Sequence, residues 1–211
     1  MNILSIDATK KSYSLSIMKN NDISTYVDDT EEPSSESILN EINILASKNN
    51  INPSDINSVI YNNGPGSFTG VRVSSAIVQA IGFSNQCPVY GINSLMLDAF
   101  SVYKEKKINK LEVVKKAFGN QVFHGLLQLN DDNCILDSEI ITSALVDIEF
   151  NNHYELLTDL LDLNNEKNIK YIPLENYKGS ELLIEFYRKY SKKKNNFDYK
   201  DALPSYAGHT I

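Results

Sequence analysis

The segment N-N-G-P-G-S-F-T-G-V-R, Asn62 to Arg72, gathers three of the chain's nine glycines, Gly64, Gly66 and Gly70, into seven positions. It lies between a short, mostly apolar run, Ser58 to Tyr61, and a helix expected from about Val71 to Ser84. Pro65 fixes one φ angle, and Gly66 is the position expected to take positive φ. Ser67 and Thr69 are placed to cap the helix that follows. A glycine-rich turn at a helix N-terminus has two readings, a tight strand-to-helix connection and an anion cradle. The residues alone leave both open.

Upstream of the loop, Ile3 to Ile6 reads as a strand ending at Asp7. Ser12 to Met18 alternates apolar with partly polar positions, as an antiparallel strand does. Asn20-Asn21-Asp22 makes a turn into a third strand, Ile23 to Val27, and an acidic stretch, Asp28 to Glu32, forms a loop with Pro33. Ser34 or Ser35 caps a helix whose stripe is Ile38, Leu39, Ile42, Leu45 and Ala46. Pro53-Ser54-Asp55 begins a short helical turn. Downstream of the loop, Pro88 to Gly91 is a strand, and Ser94 caps a helix running to about Val102.

This first half reads β-β-β-α-β-α-β-α, a mixed α/β pattern. It resembles the actin-like, sugar-kinase and Hsp70 ATPase (ASKHA) superfamily, whose unit is a five-stranded sheet opening on an antiparallel hairpin and often duplicated. The expected architecture is α/β, with two lobes of mixed sheets and flanking helices. An N-terminal lobe, 1–103, carries the G-P-G loop, and a smaller, divergent lobe covers 104–211. In that lobe Leu111 to Lys115, Gln121 to Leu129, Ile135 to Ile141 and Lys170 to Pro173 read as strands. Tyr154 to Leu163 and Gly179 to Tyr190 have helical period, and Lys192-Lys193-Lys194 reads as a solvated helix end. No internal sequence repeat is visible.

With 211 residues and 42% hydrophobic content the chain can bury a substantial core. Its formal net charge of −7 disfavours direct binding of nucleic acid, which is held mainly by cations. Cys87 and Cys134 are read as two buried thiols, not a disulfide framework. No apolar run approaches the ~18 residues of a membrane span, so no membrane contact and a cytoplasmic location are expected. His124, His153 and His209 are 29 and 56 residues apart, so no metal site and no catalytic residue is assigned.

The helix after the loop is nearly free of charge. Val71, Ala76, Ile77, Ala80, Ile81 and Phe83 are apolar, Gly70, Ser74, Ser75 and Gly82 are small, and Arg72 is its one charged residue. Such a helix is either sandwiched inside a domain or half-covered by a partner. The Arg72 fork suits a carboxylate or phosphate across an interface, or an ordinary surface salt bridge.

The string Gly64 to Arg72, G-P-G-S-F-T-G-V-R, resembles the signature of the TsaB (YeaZ) family of tRNA threonylcarbamoyladenosine biosynthesis proteins. Ile3 to Ala8, Ser35 to Leu39 and Pro88 to Leu95 resemble the family's opening strand, first-helix start and following strand in order and spacing. The match is good over residues 1–103. Beyond that, Lys116-Ala117-Phe118 stands where relatives have Asp-Ala-Arg, and Pro204-Ser205-Tyr206-Ala207 is only faintly similar to the family's terminal motif.

The resemblance implies a non-catalytic, scaffolding subunit with no activity alone. Its expected partners are a TsaD-like catalytic subunit, which holds the metal, and a TsaE-like ATPase, with a homodimer in the partner's absence. tRNA is reached only indirectly. No cofactor is expected on the chain alone, and ATP or ADP is expected at the partner boundary. The expected partner interface is Gly64, Pro65, Gly66, Ser67, Phe68, Thr69, Gly70, Val71, Arg72, Ser75 and Ile77. Two alternatives stand beside it. One is a free-standing actin-fold ATPase or sugar kinase, with Asp7 as the nucleotide-proximal residue. The other is a homodimeric interaction module unrelated to tRNA.

Overall fold

The computed structural model describes residues 1–28, 35–160, 171–173, 179–191 and 199–205. The chain divides into two compact units, one drawn from Met1–Ser94 and Lys178–Ser205, the other from Leu95–Tyr177. The division therefore falls nine residues before the expected end of the first lobe at 103, and the chain returns to the first unit near its end.

In the first unit β1 (Asn2–Asp7), β2 (Tyr13–Lys19), β3 (Asp22–Asp28), β4 (Ser58–Gly64) and β5 (Val89–Asn93) form one sheet in the order β3-β2-β1-β4-β5. The β1–β2 and β2–β3 pairs are antiparallel, and β1–β4 and β4–β5 are parallel. Asn20 and Asn21, with φ of 53° and 77°, both sit in the left-handed region. That is the backbone of a two-residue hairpin whose twist matches its strands.

Three helices belong to this sheet: α1 (Ser35–Lys48), α2 (Phe68–Asn85) and the last described helix, which follows α3 (Ser94–Lys106) and is labelled α4 (Gly179–Phe186). Leu4, Ile6, Leu15 and Ile17 pack in one cluster with Ile38 and Ile42 of α1 and Ile77 and Val78 of α2. The other face of β1 and β2 meets α4 through hydroxyls. Ser5 Oγ donates to the Ser180 carbonyl at 2.7 Å, Ser180 N donates to Ser14 Oγ at 3.1 Å, and Ser16 Oγ lies 2.8 Å from Ser180 Oγ. Thr25 Oγ1 extends the ladder to Glu181 Oε1 at 2.6 Å. The half-polar period of β2 was therefore legible, but its polar face is buried, not solvated. This pairing is why α4 joins the first unit.

The second unit repeats the same strand order without repeating the sequence. Its sheet runs β11-β10-β6-β7-β8, with β9 also on β7. The strands are β6 (Lys110–Lys116), β7 (Gln121–Leu129), β8 (Cys134–Leu136), β9 (Ile141–Ala144), β10 (Glu155–Thr158) and β11 (Tyr171–Pro173). The β6–β7 pair is the antiparallel hairpin, and β6–β10 and β10–β11 are parallel. A meander followed by two parallel strands, present in both units, is the actin-like (ASKHA) fold.

Several expectations are corrected. Residues 155–158 of the expected helix Tyr154–Leu163 form strand β10. Leu156 and Leu157 are both buried because a parallel strand between two others is covered on both faces, so adjacent leucines imitate helical spacing. The single strand expected at Ile135–Ile141 is two short strands, both paired to β7. Leu39 is largely exposed while the rest of its α1 stripe is buried, and Cys134 is only partly buried on an edge strand. Ser34, Lys192-Lys193-Lys194, Tyr206-Ala207 and His209 lie outside the described residues. Among the described residues no helix is long and apolar enough to cross a membrane, and no group of three or more acidic, cysteine or histidine residues could hold a metal. His124 is matched instead to the buried Glu112, with Nε2 2.7 Å from Oε1.

Candidate functional site

Three segments of the first unit converge on the G-P-G turn: the end of β1, the end of β4 and the start of α2. Gly64, not Gly66, takes the positive φ, at 98°. Gly66 and Gly70 are needed for closeness. A Cβ on Gly66 would stand 2.5 Å from the Thr9 carbonyl oxygen, and one on Gly70 would collide with the Ala8 carbonyl. Ser67 N donates to the Thr9 carbonyl at 2.7 Å, and Ser67 Oγ caps α2 by accepting from Gly70 N at 3.2 Å. Thr69 is the second residue of the helix, not its cap. The amides of Ser67 and Gly70 are thus engaged internally, which favours the structural turn over the anion cradle.

Asp7 is used in the same way. It is 5% exposed. Thr9 donates to its Oδ1 through N at 3.0 Å and Oγ1 at 2.6 Å, and Asn62 Nδ2 donates to Oδ2 at 3.3 Å. Asn62 Oδ1 in turn accepts from Gly64 N at 3.1 Å, and the Ser94 hydroxyl donates to the Pro65 carbonyl at 2.7 Å. Gly179, the first residue of α4, lies so close over the carboxylate that a Cβ there would overlap it. Asp7 therefore ties the end of β1 to β4, with the α4 N-terminus packed closely against its carboxylate. Asp7→Ala is expected to destabilise the first unit by about 2 kcal/mol through the partners left unpaired. A urea midpoint equal to wild type would contradict the tie.

The interface residues expected from sequence separate into two groups. Gly64, Pro65, Gly70, Val71, Ser75 and Ile77 are buried, Val71 and Ile77 to 1% and 4% exposure. Gly66 and Ser67 are half-buried. Phe68, Thr69 and Arg72 are exposed, together with Ala76, Ala80 and Phe83. The steps of four residues from Phe68 through Arg72 and Ala76 to Ala80 run along one helix face. Phe68 and Phe83, 49% and 61% exposed, bound a strip of small side chains. The Arg72 guanidinium stacks 3.4 Å over the Phe68 ring. Ala76, Ala80 and Phe83 were missed as surface residues. The available signal was Arg72, since the one charge on an apolar helix marks its outward side.

Beside this face the segment Tyr199–Ser205 lies against α2 and β4. Tyr61 Oη donates to the Leu203 carbonyl at 3.0 Å. Burial pushes the Tyr61 and Tyr187 phenols up to about 12, against about 10 in an unfolded chain. The folded protein then holds more protons than the unfolded chain between pH ~10 and ~12, so stability falls as pH rises through that window. Each phenol contributes up to about 1.4 kcal/mol per pH unit. Urea midpoints that stay level across this range would contradict the burial.

The chain matches the family model described as TsaD: tRNA N6-adenosine threonylcarbamoyltransferase over residues 28–117. It is 29% identical over 146 residues to the tRNA threonylcarbamoyladenosine biosynthesis protein TsaB of Buchnera aphidicola subsp. Schizaphis graminum, covering 69% of each chain. The protein of the same name in Escherichia coli strain K12 is 25% identical over 69% of this chain and 62% of its own. That of Buchnera aphidicola subsp. Acyrthosiphon pisum is 25% identical over 92% of this chain and 91% of its own. The solved structure of YeaZ from Pseudomonas aeruginosa superposes with a TM-score of 0.80 at 17% identity, covering 97% of this chain and 99% of that one, which establishes a common fold. With the G-P-G turn and its flanking strands as found, the chain is similar to the TsaB (YeaZ) proteins in sequence and in fold.

Proposed function

We propose that the chain is a non-catalytic partner subunit in the formation of N6-threonylcarbamoyladenosine in tRNA, docking a TsaD-like catalytic subunit on the outward face of α2. The observation that carries this is the strip Phe68, Arg72, Ala76, Ala80 and Phe83, exposed, small in the middle and nearly uncharged. Small side chains let a second helix approach to interaxial distances near 8 Å, at the short end of helix packing. Relatives named for tRNA threonylcarbamoyladenosine biosynthesis support the pathway. A net charge of −7 supports contact with tRNA through the partner. In this reading a TsaE-like ATPase is the further partner, ATP or ADP belongs at the partner boundary, and the homodimer forms when the catalytic subunit is absent. The kinase alternative is weakened because the Asp7 carboxylate is engaged inside the fold.

The test is purification of the tagged chain from its own cells, with mass spectrometry of what accompanies it. A TsaD-like protein in near-stoichiometric amount is expected. Recovery of the chain alone as a dimer would overturn the proposal and make ATP turnover the next assay.

A further inference from the structure

The segment Tyr199–Ser205 is a single 3-10 turn, Tyr199–Asp201, followed by four residues without regular secondary structure. Its attachments fall on the elements that present the docking face. The Ala202 carbonyl accepts from Gln79 Nε2 of α2 at 3.0 Å, and the Leu203 carbonyl from Tyr61 Oη of β4 at 3.0 Å. Ser205 N donates to the Asn63 carbonyl at 2.6 Å, and the Ser205 carbonyl lies 2.8 Å from where a Cβ on Gly64 would stand. At the other end Tyr199 meets Phe83 edge-on, ring centroids 5.6 Å apart. Tyr199 and Lys200 then form one wall of an open groove of about 520 Å³ whose other wall is Ala76, Gln79, Ala80 and Phe83.

These contacts are mostly polar. Ala202 is the one fully buried side chain of the segment, and Leu203 is 41% exposed. Beyond Ala202 and the partly buried Tyr199, which reach the core cluster, the segment buries little apolar surface, and such an element opens at lower cost than the sheet beside it. Yet Gln79 and Phe83, both on the groove wall, take their positions from it.

We propose that Tyr199–Ser205 is a strap that sets the pose of the α2 face and the G-P-G turn, so that partner affinity depends on the strap being seated. This rests on the docking reading above and adds its regulation. The strap acts through Gln79, Phe83 and Gly64, and its residues are positioning residues. If only the strapped form binds well, apparent affinity scales with the seated fraction. By linkage, partner binding must then favour the seated strap by the same factor.

The test uses the full chain and the purified TsaD-like subunit of the same organism. In wild type, the partner is expected to slow hydrogen exchange at the amides of Ala202, Leu203 and Ser205. Ala202→Lys, which cannot bury its ammonium, is expected to free those amides and weaken binding at least about tenfold, with the circular dichroism of the first unit retained. Leu203→Ser, at an exposed position, is expected to bind as wild type. A freed strap with affinity within about twofold of wild type would overturn the proposal and leave the docking reading standing. If Ala202→Lys unfolds the unit, the wild-type exchange decides: no slowing on partner binding overturns the strap. Wild type that fails to bind the partner at all sinks the docking reading, and the strap with it.

Discussion

Ala80→Glu is expected to leave the protein folded and to abolish partner binding, whereas Val71→Glu, nine residues earlier on the same helix, is expected to unfold it. Ala80 is exposed on α2, and glutamate is nearly as good a helix former as alanine. A surface substitution of this kind changes stability by about 0.5 kcal/mol or less. In a close helix–helix contact the same carboxylate is buried without a partner, which costs about 3–5 kcal/mol. A micromolar complex is worth only about 8 kcal/mol, so the loss is a hundredfold or more. Val71 faces the opposite way. It is 1% exposed, and its Cγ1 lies 3.4 Å from where a Cβ of Gly64 would stand. A carboxylate there draws on a folding free energy of only about 5–15 kcal/mol. Urea unfolding and titration calorimetry against the TsaD-like subunit separate the two variants. Ala80→Glu binding as wild type would move the interface off this face. A stable Val71→Glu would show that α2 is rotated from its assigned burial.

The same contrast shows what the sequence could and could not say. The strand-helix order of the first half was legible because each element keeps a clean period, two in β2 and 3.6 in α1. The orientation of α2 was not legible, since a helix apolar on nearly all sides carries almost no period; only Arg72 broke the symmetry. In the second half, Leu156 and Leu157 in the parallel strand β10 gave a false helical spacing. The return of α4 to the first sheet could not be read either. Its signal is a set of serines, Ser5, Ser14, Ser16 and Ser180, separated by up to 175 residues, which as isolated letters look like solvated strand positions. The strap has no period at all. The duplicated strand order is likewise a property of pairing, invisible in residues that do not repeat.

Gly70→Ala provides the second large effect, and here two principles predict opposite signs. Gly70 lies in the first turn of α2 and is not among the glycines of positive φ. Helix propensity alone would therefore reward alanine by up to about 1 kcal/mol. The surroundings forbid it, because the added Cβ would collide with the backbone carbonyl of Ala8, which is buried at the end of β1 and cannot swing aside as a flexible side chain could. Relief requires moving α2 off β1, which also disturbs the Ser67 N to Thr9 carbonyl bond at 2.7 Å. Overpacking of this kind costs about 1–3 kcal/mol where neighbours can adjust, and a rigid backbone neighbour puts Gly70 at or above the top of that range. The expected result is a net loss of about 3 kcal/mol, read from urea unfolding. Gly119→Ala is the control: nothing lies within 4 Å of a Cβ there, so its φ of 58° is the whole obstacle, at about 1–2 kcal/mol. If Gly70→Ala proved neutral or stabilising, propensity would have won and the close approach of α2 to β1 would be wrong. If it is the costlier of the two, this glycine of the G-P-G-S-F-T-G string is required by helix-on-strand packing. The motif then serves to hold α2, with its outward strip, at a fixed height above the end of the sheet.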